Sequence, residues 1–258
     1  MNKEAVKNGF SGCFNTYVTE ASVQQAIAKK LALMSQRNLI STPRIALEVG
    51  CGTGFLTYEL LQRYADAIWL HNDISPTAKP YIDMLVKQHN AAGSFTVGDA
   101  ELLTIPETID FFASSSAMQW FTDISSFLDK LANSITSVGI IAFSTFGPDN
   151  LKEIKQLTGN GLAYPTYNVL NEIVSKRFEI IEMEEDHHTI YFKNPIEVLR
   201  HIKQTGVNGP FRQCWTKGKL EKFALEYKQL LTQDGYPLTY HPIYVVARPK
   251  LINEPFAI

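Results

Sequence analysis

The sequence has few of the features that mark secreted, membrane-spanning or nucleic-acid-coating proteins. Its 258 residues include only three cysteines, and the wide spacing of Cys13, Cys51 and Cys214 matches neither a disulfide framework nor a zinc site. No apolar run is long enough to span a bilayer, and residues 1–7 lack the apolar core of a signal peptide. The net charge of −2 argues against broad nucleic-acid binding, which needs a basic excess. We therefore expect a cytoplasmic protein without membrane or nucleic-acid partners.

What the first 150 residues do contain is a regular alternation of strand-like and helix-like patterns. Short apolar runs, typical of buried strands, occur at residues 44–49, 67–71, 94–97, 109–113 and 138–144. Between most of these runs, apolar residues recur every three or four positions, which indicates amphipathic helices. Strands that alternate with helices in this way indicate an α/β fold, with a mostly parallel sheet covered on both faces.

The C-terminal third changes in character, and its pattern indicates a cap beside the sheet. Two strands with two helices between them are expected, at residues 178–191, 195–204, 217–231 and 240–247. An antiparallel last strand would close the edge of the sheet, and the helices before it would form the cap. We therefore predict one domain over residues 1–258, with a lid segment at about 8–36 and a cap inserted at about 193–237.

The most informative stretch is a glycine-rich turn after the first predicted strand. Gly50, Gly52 and Gly54 alternate there, and a helix-like pattern starts at Phe55. A dinucleotide fingerprint would need its third glycine three residues after the second, where Phe55 stands. The spacing instead matches the first motif of the class I S-adenosylmethionine-dependent methyltransferases, and such a turn lets a ligand approach the backbone and the following helix start. The contacts predicted from this turn are Glu48, Gly50, Cys51, Gly52 and Gly54.

Polar residues follow the next three predicted strands, at the edge where an open α/β sheet binds its ligands. Asp73 can accept hydrogen bonds from a ribose diol, and Asp99 can accept one from an exocyclic adenine amine. Either aspartate can instead cap a helix, which is the commoner role at a strand end. Their order and spacing together favour a site for S-adenosylmethionine, with S-adenosylhomocysteine as the product. The contacts predicted from these turns are Asp73, Ile74, Asp99, Ala100, Ser114 and Ser115.

Across about residues 10–248, the chain resembles the malonyl-[acyl-carrier protein] O-methyltransferases of biotin synthesis. The resemblance depends on an N-terminal signature, a block after the fourth strand and a Ser-Thr-Phe-Gly segment after the fifth. These features are Phe10, Tyr17, Ala21 and Gln24, then residues 117–120, then residues 143–151. The resemblance implies a Rossmann-like class I methyltransferase fold. In that fold a seven-stranded, mostly parallel sheet has an antiparallel last strand, and a helical cap is inserted before that strand.

The same resemblance implies a reaction, the methylation of the free carboxylate of a malonyl thioester on an acyl carrier protein. Such a carboxylate, with an unperturbed pKa of about 4, is already deprotonated at neutral pH and needs no general base. Tyr17 is the leading catalytic candidate, because its hydroxyl can orient the carboxylate or steady the methyl donor. The alternative is that Tyr17 only packs the N-terminal helix.

A basic run in the predicted cap is the candidate surface for the substrate or its carrier. Six cationic residues and one acidic residue lie between positions 200 and 222. On a net-acidic protein this excess favours an acidic partner such as an acyl carrier protein, although a solvated helix face has the same pattern. The sequence leaves open which basic residue holds the substrate carboxylate. The residues predicted to bind the substrate or carrier are Arg200, Lys203 and Arg212.

Two other functions remain open on the sequence alone. The chain can be a class I methyltransferase for another small carboxylic acid or metabolite, which would not depend on the basic run. It can also be a non-catalytic relative that binds the cofactor without turnover. We expect a monomer whichever function is correct. For the malonyl reaction, the sequence leaves open whether the thioester carrier is a protein or coenzyme A.

The adjacent histidines His187 and His188 are the nearest approach to a metal motif. Both lie in a predicted strand, where neighbouring side chains point to opposite faces and do not converge on one ion. No other group of histidines and cysteines has ligand spacing. We therefore predict no metal site.

Overall fold

A seven-stranded sheet organises the chain in the computed structural model, which describes residues 2–206 and 215–250. The strands are β1 (Ile45–Val49), β2 (Ile68–Asp73), β3 (Ala92–Val97), β4 (Ile109–Ser115), β5 (Ile135–Phe146), β6 (Phe178–Glu185), β7 (His188–Phe192), β8 (Tyr236–Tyr240) and β9 (Pro242–Pro249). The order in the main sheet is β3-β2-β1-β4-β5-β9-β6, and β7 pairs with β8 in a separate two-stranded sheet. Strands β1 to β5 pair in parallel, whereas β9 runs antiparallel to both β5 and β6. The predicted α/β fold and its antiparallel last strand are confirmed.

Helices cover both faces of this sheet, as the alternation of patterns predicts. They are α1 (Lys3–Ser11), α2 (Phe14–Glu20), α3 (Ser22–Asn38), α4 (Phe55–Tyr64), α5 (Lys79–Gln88), α6 (Ile124–Ala132), α7 (Lys152–Thr158), α8 (Tyr167–Val174), α9 (Pro195–Gln204) and α10 (Lys217–Tyr227). Successive strand residues point to opposite faces, so Phe111 packs with α3 and α4, whereas Phe112 packs with α6 and α8. None of the described helices has the length and apolarity needed to cross a membrane.

The late part of the chain differs from the expected single strand over residues 178–191. There β6 ends at Glu185, and β7 starts at His188 in the other sheet. A matching break separates β8, which ends at Tyr240, from β9, which starts at Pro242 after the buried His241. Asp186 donates its backbone N–H to the Pro242 carbonyl oxygen (3.0 Å), which joins the two breaks. The prediction of one continuous strand is therefore wrong, because the chain changes sheets at this point.

The segments predicted to form the lid and the cap are largely helical. Helices α1 and α2 precede α3, and α1 starts at Lys3, before the expected lid boundary. Helices α9 and α10 lie between β7 and β8 and pack against each other. Cys13 and Thr16 donate hydrogen bonds to the last carbonyl oxygens of α9, over distances of 2.9 and 3.1 Å. The N-terminal helices therefore contact the cap directly. The division into one domain with a lid and a cap stays a prediction.

Candidate functional site

A large cavity opens at the carboxyl ends of β1, β2, β3 and β4. About 980 Å³ of space there is free of protein atoms, the open solvent at its mouth included. Strand order reverses between β1 and β4, and such a reversal is where open α/β sheets bind ligands. The predicted residues that line it are Tyr17, Gly50, Cys51, Gly52, Asp73, Ile74, Asp99, Ala100 and Ser115.

The glycine turn forms the floor of this cavity, and its glycines have different roles. Gly50 has a φ of +68°, and a Cβ there would lie 2.3 Å from the Ala117 Cβ, so Gly50 allows two turns to pack closely. Gly52 has a φ of +52°, and a Cβ there would have no atom within 4 Å. Gly52 therefore exposes its backbone to the open cavity. Gly54 does not line the cavity but is the N-cap of α4.

Asp73 lies at the end of β2 with its carboxylate against the glycine turn. Its two oxygens accept backbone hydrogen bonds from Gly52 and Ser75, each of 2.8 Å. Burial raises the pKa of Asp73 to about 6, and these two bonds lower it by less than burial raises it. Nearby, the Asn72 carbonyl oxygen accepts hydrogen bonds from Gly50 (2.8 Å) and Cys51 (3.2 Å). The end of β2 thus holds the turn in place and presents one buried carboxylate to the cavity.

Glu48 lies beneath the turn and does not line the cavity. Its Oε2 accepts a hydrogen bond from the Thr57 hydroxyl (2.7 Å) and lies 3.2 Å from His71 Nδ1. Both partners are buried, and Thr57 belongs to the first half of α4. Glu48 therefore ties α4 to the sheet. Its predicted direct contact with a ligand stays a prediction.

The first helix closes the cavity over Asp99 by an ion pair. Lys3 Nζ lies 3.2 Å from Asp99 Oδ1 and 2.5 Å from Glu101 Oε2, and it also lies 5.1 Å from the centroid of the Phe121 ring. The Glu101 backbone N–H donates to the same Asp99 oxygen (3.1 Å). The other oxygen, Oδ2, has no such partner among the described residues. Lys3 is a lining residue that the sequence pattern did not indicate.

A second, narrower cavity adjoins the first, and about 330 Å³ of space there is free of protein atoms, open solvent included. Five residues line both cavities, namely Phe10, Tyr17, Gln24, Ser116 and Trp120. The Tyr17 ring stacks on Phe55 at a centroid distance of 5.7 Å and meets the edge of Phe10 at 6.3 Å. Tyr17 therefore lies at the junction of the two cavities. We call the smaller space the acceptor cavity.

The three serines at the end of β4, Ser114 to Ser116, lie in different environments. Ser114 is fully buried and does not line either cavity, whereas Ser115 lines the large one. Ser116 has a φ of +53°, which is uncommon outside glycine, and its buried hydroxyl has no partner. Backbone strain of this kind is often found where a ligand binds. Ser116 was not among the predicted contacts, because a run of three serines does not show which one faces the site.

This site belongs to a chain with clear relatives. Residues 47–143 match the Methyltransferase domain family. The malonyl-[acyl-carrier protein] O-methyltransferase of Bacteroides thetaiotaomicron is 37% identical over 263 residues, which cover 98% of this chain and 100% of that protein. The chain belongs to that family. The protein of the same name from Bacteroides fragilis is 39% identical, and this methyltransferase spans 51% of its length. The recognised family, the fold and the enzyme class predicted from the sequence are confirmed.

Solved structures support the fold of this methyltransferase. The structure of coclaurine N-methyltransferase, bound to N-methylheliamine and SAH, superimposes with a TM-score of 0.53 over 85% of this chain and 69% of that one. The two sequences are 15% identical, so the likeness concerns the fold alone. The arrangement of strands described above is therefore shared with a methyltransferase of quite different sequence.

The basic residues predicted to bind the substrate or carrier lie away from both cavities. Arg200 and Lys203 are exposed on α9, and neither lines the large cavity or the acceptor cavity. Thr205, which follows α9 directly, does line the acceptor cavity. Arg212 lies outside the described residues. The two described cations therefore lie on the surface of this methyltransferase, and their predicted role in binding the substrate or carrier stays a prediction.

A cluster at the point where the chain changes sheets brings His187 and His241 together with Asp149. The two imidazole rings stack at 4.1 Å, and His187 Nε2 lies 3.1 Å from Asp149 Oδ2. His241 Nδ1 accepts the Asp149 backbone N–H (3.2 Å), so its lone pair is occupied and Nε2 carries the proton, facing Glu185 at 3.0 Å. His241 therefore has no free lone pair for a cation. The absence of a metal stays a prediction.

Proposed function

We propose that this methyltransferase transfers a methyl group from S-adenosylmethionine to the free carboxylate of a malonyl thioester. The thioester is carried by an acyl carrier protein, as the names of the family members imply, in the synthesis of a biotin precursor. The observation that carries the proposal is the pair of cavities that meet at Tyr17. One cavity suits a methyl donor and the other a small acceptor.

The large cavity fits S-adenosylmethionine by the chemistry of its lining. The Asp73 carboxylate can accept hydrogen bonds from a ribose diol, and the open backbone at Gly52 leaves room for the ligand. Ile74 and Ala100 supply apolar surface, and Asp99 Oδ2 is available to an amine. When bound, S-adenosylmethionine supplies an electrophilic methyl group on a positively charged sulfur. The coclaurine N-methyltransferase of similar fold holds SAH, the product of such a donor.

The acceptor cavity suits a carboxylate that is already ionised. Among the described residues, its lining contains no lysine, arginine, aspartate or glutamate, so it offers neutral hydrogen-bond donors and no strong base. Burial, together with the nearby Tyr240 and Asp73, raises the pKa of Tyr17 well above its usual value. The Tyr17 phenol therefore stays protonated and donates a hydrogen bond. A carboxylate with a pKa of about 4 needs only in-line placement and exclusion of water.

The carrier would dock on the cap, where α9 carries basic residues and leads into the acceptor cavity. Arg200 and Lys203 lie on α9, five and two residues before Thr205, which lines that cavity. Lys217 and Lys219 are exposed on α10, which packs on α9. Neither of them has an acidic partner within the described residues. An unpaired basic surface attracts an acidic carrier and speeds its encounter.

The deciding experiment measures methyl transfer from labelled S-adenosylmethionine to three acceptors in parallel. We expect malonyl-acyl carrier protein to exceed malonyl-coenzyme A by about fivefold or more in kcat/KM, because rim charges supply about 1 kcal/mol or more of carrier binding. Free malonate should be methylated least. Equal or better transfer to free acids would instead support an enzyme for small metabolites. Cofactor binding without transfer to any acceptor would support the non-catalytic alternative.

Reversing two charges on α9 tests the carrier surface. The double substitution Arg200→Glu and Lys203→Glu should lower kcat/KM for malonyl-acyl carrier protein by about 5- to 50-fold at low salt, because two attractions become repulsions. The reaction with malonyl-pantetheine, which has no protein carrier, should change less than about twofold. Lys87→Glu, an exposed charge reversal on α5, is the matched control. Equal losses with both acceptors would contradict carrier docking at α9.

A further inference from the structure

The side chain of Gln24 lies at the junction of the two cavities and is only 5% exposed. Its amide oxygen, Oε1, is buried and has no hydrogen-bond partner. Buried polar atoms are almost always paired, so an unpaired one at a ligand cavity indicates a partner that arrives with the ligand or a second arrangement of the group. Gln24 thus has an unused hydrogen-bonding function at the place where methyl transfer would occur.

A short chain of buried polar groups connects Gln24 to His201 through Tyr240. His201 Nε2 lies 2.8 Å from the Tyr240 hydroxyl, and both side chains are at least 90% buried. Burial raises the pKa of Tyr240 well above its usual value, and the neighbouring Gln24 and Thr205 side chains offset part of that rise. A Gln24 N–H turned toward the Tyr240 oxygen would leave the phenol proton for His201 Nε2.

Each member of this chain can reverse its role. Burial lowers the pKa of His201 more than the nearby Glu20 raises it, so the ring is neutral near pH 7 and has two tautomers. With the proton on Nε2, His201 donates to Tyr240, and Tyr240 donates to Gln24 Oε1. The amide then turns both N–H groups toward the acceptor cavity, and its oxygen gains the partner that it lacks.

We propose that Gln24 binds the acceptor carboxylate through its amide N–H groups, and that Tyr240 and His201 orient that amide. This inference rests on the proposed function, since it names the residue that holds the malonyl carboxylate. Within the described residues no cation lines the acceptor cavity, and the Gln24 amide is a neutral donor that does. Gln24 is a substrate-binding residue, whereas Tyr240 and His201 act through it as positioning residues.

Replacing Gln24 with leucine tests the binding role. We expect KM for malonyl-acyl carrier protein to rise about 10- to 150-fold, as for a lost hydrogen bond to a charged group, with kcat changed less than KM. The Kd for S-adenosylhomocysteine, measured by calorimetry, should change less than about twofold. Gln25→Leu, on an exposed neighbour in the same helix, is the matched control and should behave as the wild type. An unchanged KM in Gln24→Leu, with active wild type, overturns the assignment.

The nitrogen chemical shifts of His201 test the orienting chain independently of turnover. In the S-adenosylhomocysteine complex, Nε2 should be unprotonated, and addition of malonyl-pantetheine should move the proton to Nε2. In Tyr240→Phe this response should disappear, and KM should rise by a factor similar to that in Gln24→Leu. A tautomer that does not change overturns the orienting role. If the wild type methylates no malonyl acceptor, the proposed function itself fails, and this result is visible before any variant is made.

Discussion

Replacing Asp73 with asparagine should weaken S-adenosylhomocysteine binding by at least about 100-fold. The substitution removes the charge that two ribose hydroxyls would meet, and hydrogen bonds to charged groups contribute about 1.5–3 kcal/mol each. It also places an amide N–H₂ group against the backbone donors of Gly52 and Ser75, so at least one of these buried donors loses its partner. Calorimetric titration of the variant against Asp66→Asn, an exposed aspartate, gives the comparison.

The pH dependence of the same titration tests the chemical cause. Burial raises the pKa of Asp73 to about 6, so the free protein takes up a proton there below that pH. Since the ribose needs the ionised form, the wild-type Kd should rise about tenfold for each pH unit below 6, whereas the asparagine variant should show no such slope. A raised pKa also means that Asp73 favours the folded state at low pH. This contribution is fully present below pH 4 and is lost as the pH rises through about 6. Equal wild-type affinity at pH 5 and 7.5 would contradict the role of Asp73.

Replacing Tyr17 with phenylalanine should lower kcat for malonyl-acyl carrier protein by about 10- to 150-fold. The phenol hydrogen bond would hold the carboxylate in line with the methyl group, so its loss removes both the bond and that alignment. The ring should stay in place, because its contacts with Phe55 and Phe10 involve the aromatic face and edge rather than the hydroxyl. For this reason the Kd for S-adenosylhomocysteine should change less than about twofold.

The matched control for Tyr17→Phe is Tyr58→Phe, in which the hydroxyl is removed from a tyrosine that is 43% exposed on α4. Its kcat should equal that of the wild type. Single-turnover measurements separate the methyl-transfer step from product release and show which one responds. If Tyr17→Phe keeps its full single-turnover rate, the hydroxyl has no part in the transfer. Tyr17 would then only pack the N-terminal helix against the glycine turn.

The positions of the candidate ligand-binding residues along the chain could be predicted, because they follow from the topology of the sheet. Parallel strands bring their carboxyl ends to one edge, so Asp73 and Asp99, although 26 positions apart, line the same cavity. Glu48 and Ser114 lie near the ends of β1 and β4 at the same edge, but both are buried and neither lines the cavity. Strand alternation explains this difference, since consecutive residues at a strand end face opposite directions. The exact contact set required knowledge of where each strand stops.

Contacts between distant segments could not be predicted in this way. Lys3 meets Asp99 across 96 positions, and Gln24 meets Tyr240 across 216. Neither pair has a local pattern, because the partners come together only when α1 and α3 pack over the sheet. The break between β6 and β7 was missed for a related reason. Residues 178–191 have the composition of one strand, and only pairing with β9 and β8 decides where it divides.

The amino-acid sequence by itself determined the class of fold, the family and the turns that contain the cofactor-binding candidates. Each of these depends on local periodicity or on the spacing of residues within one motif. The tertiary structure decided that Tyr17, Gln24 and Trp120 meet at the junction of two cavities, and that Arg200 and Lys203 lie outside both. The physical reason is that a binding site forms where side chains from different elements point into the same space. Their orientations depend on how the helices pack on the sheet, and no single segment of the sequence determines that packing.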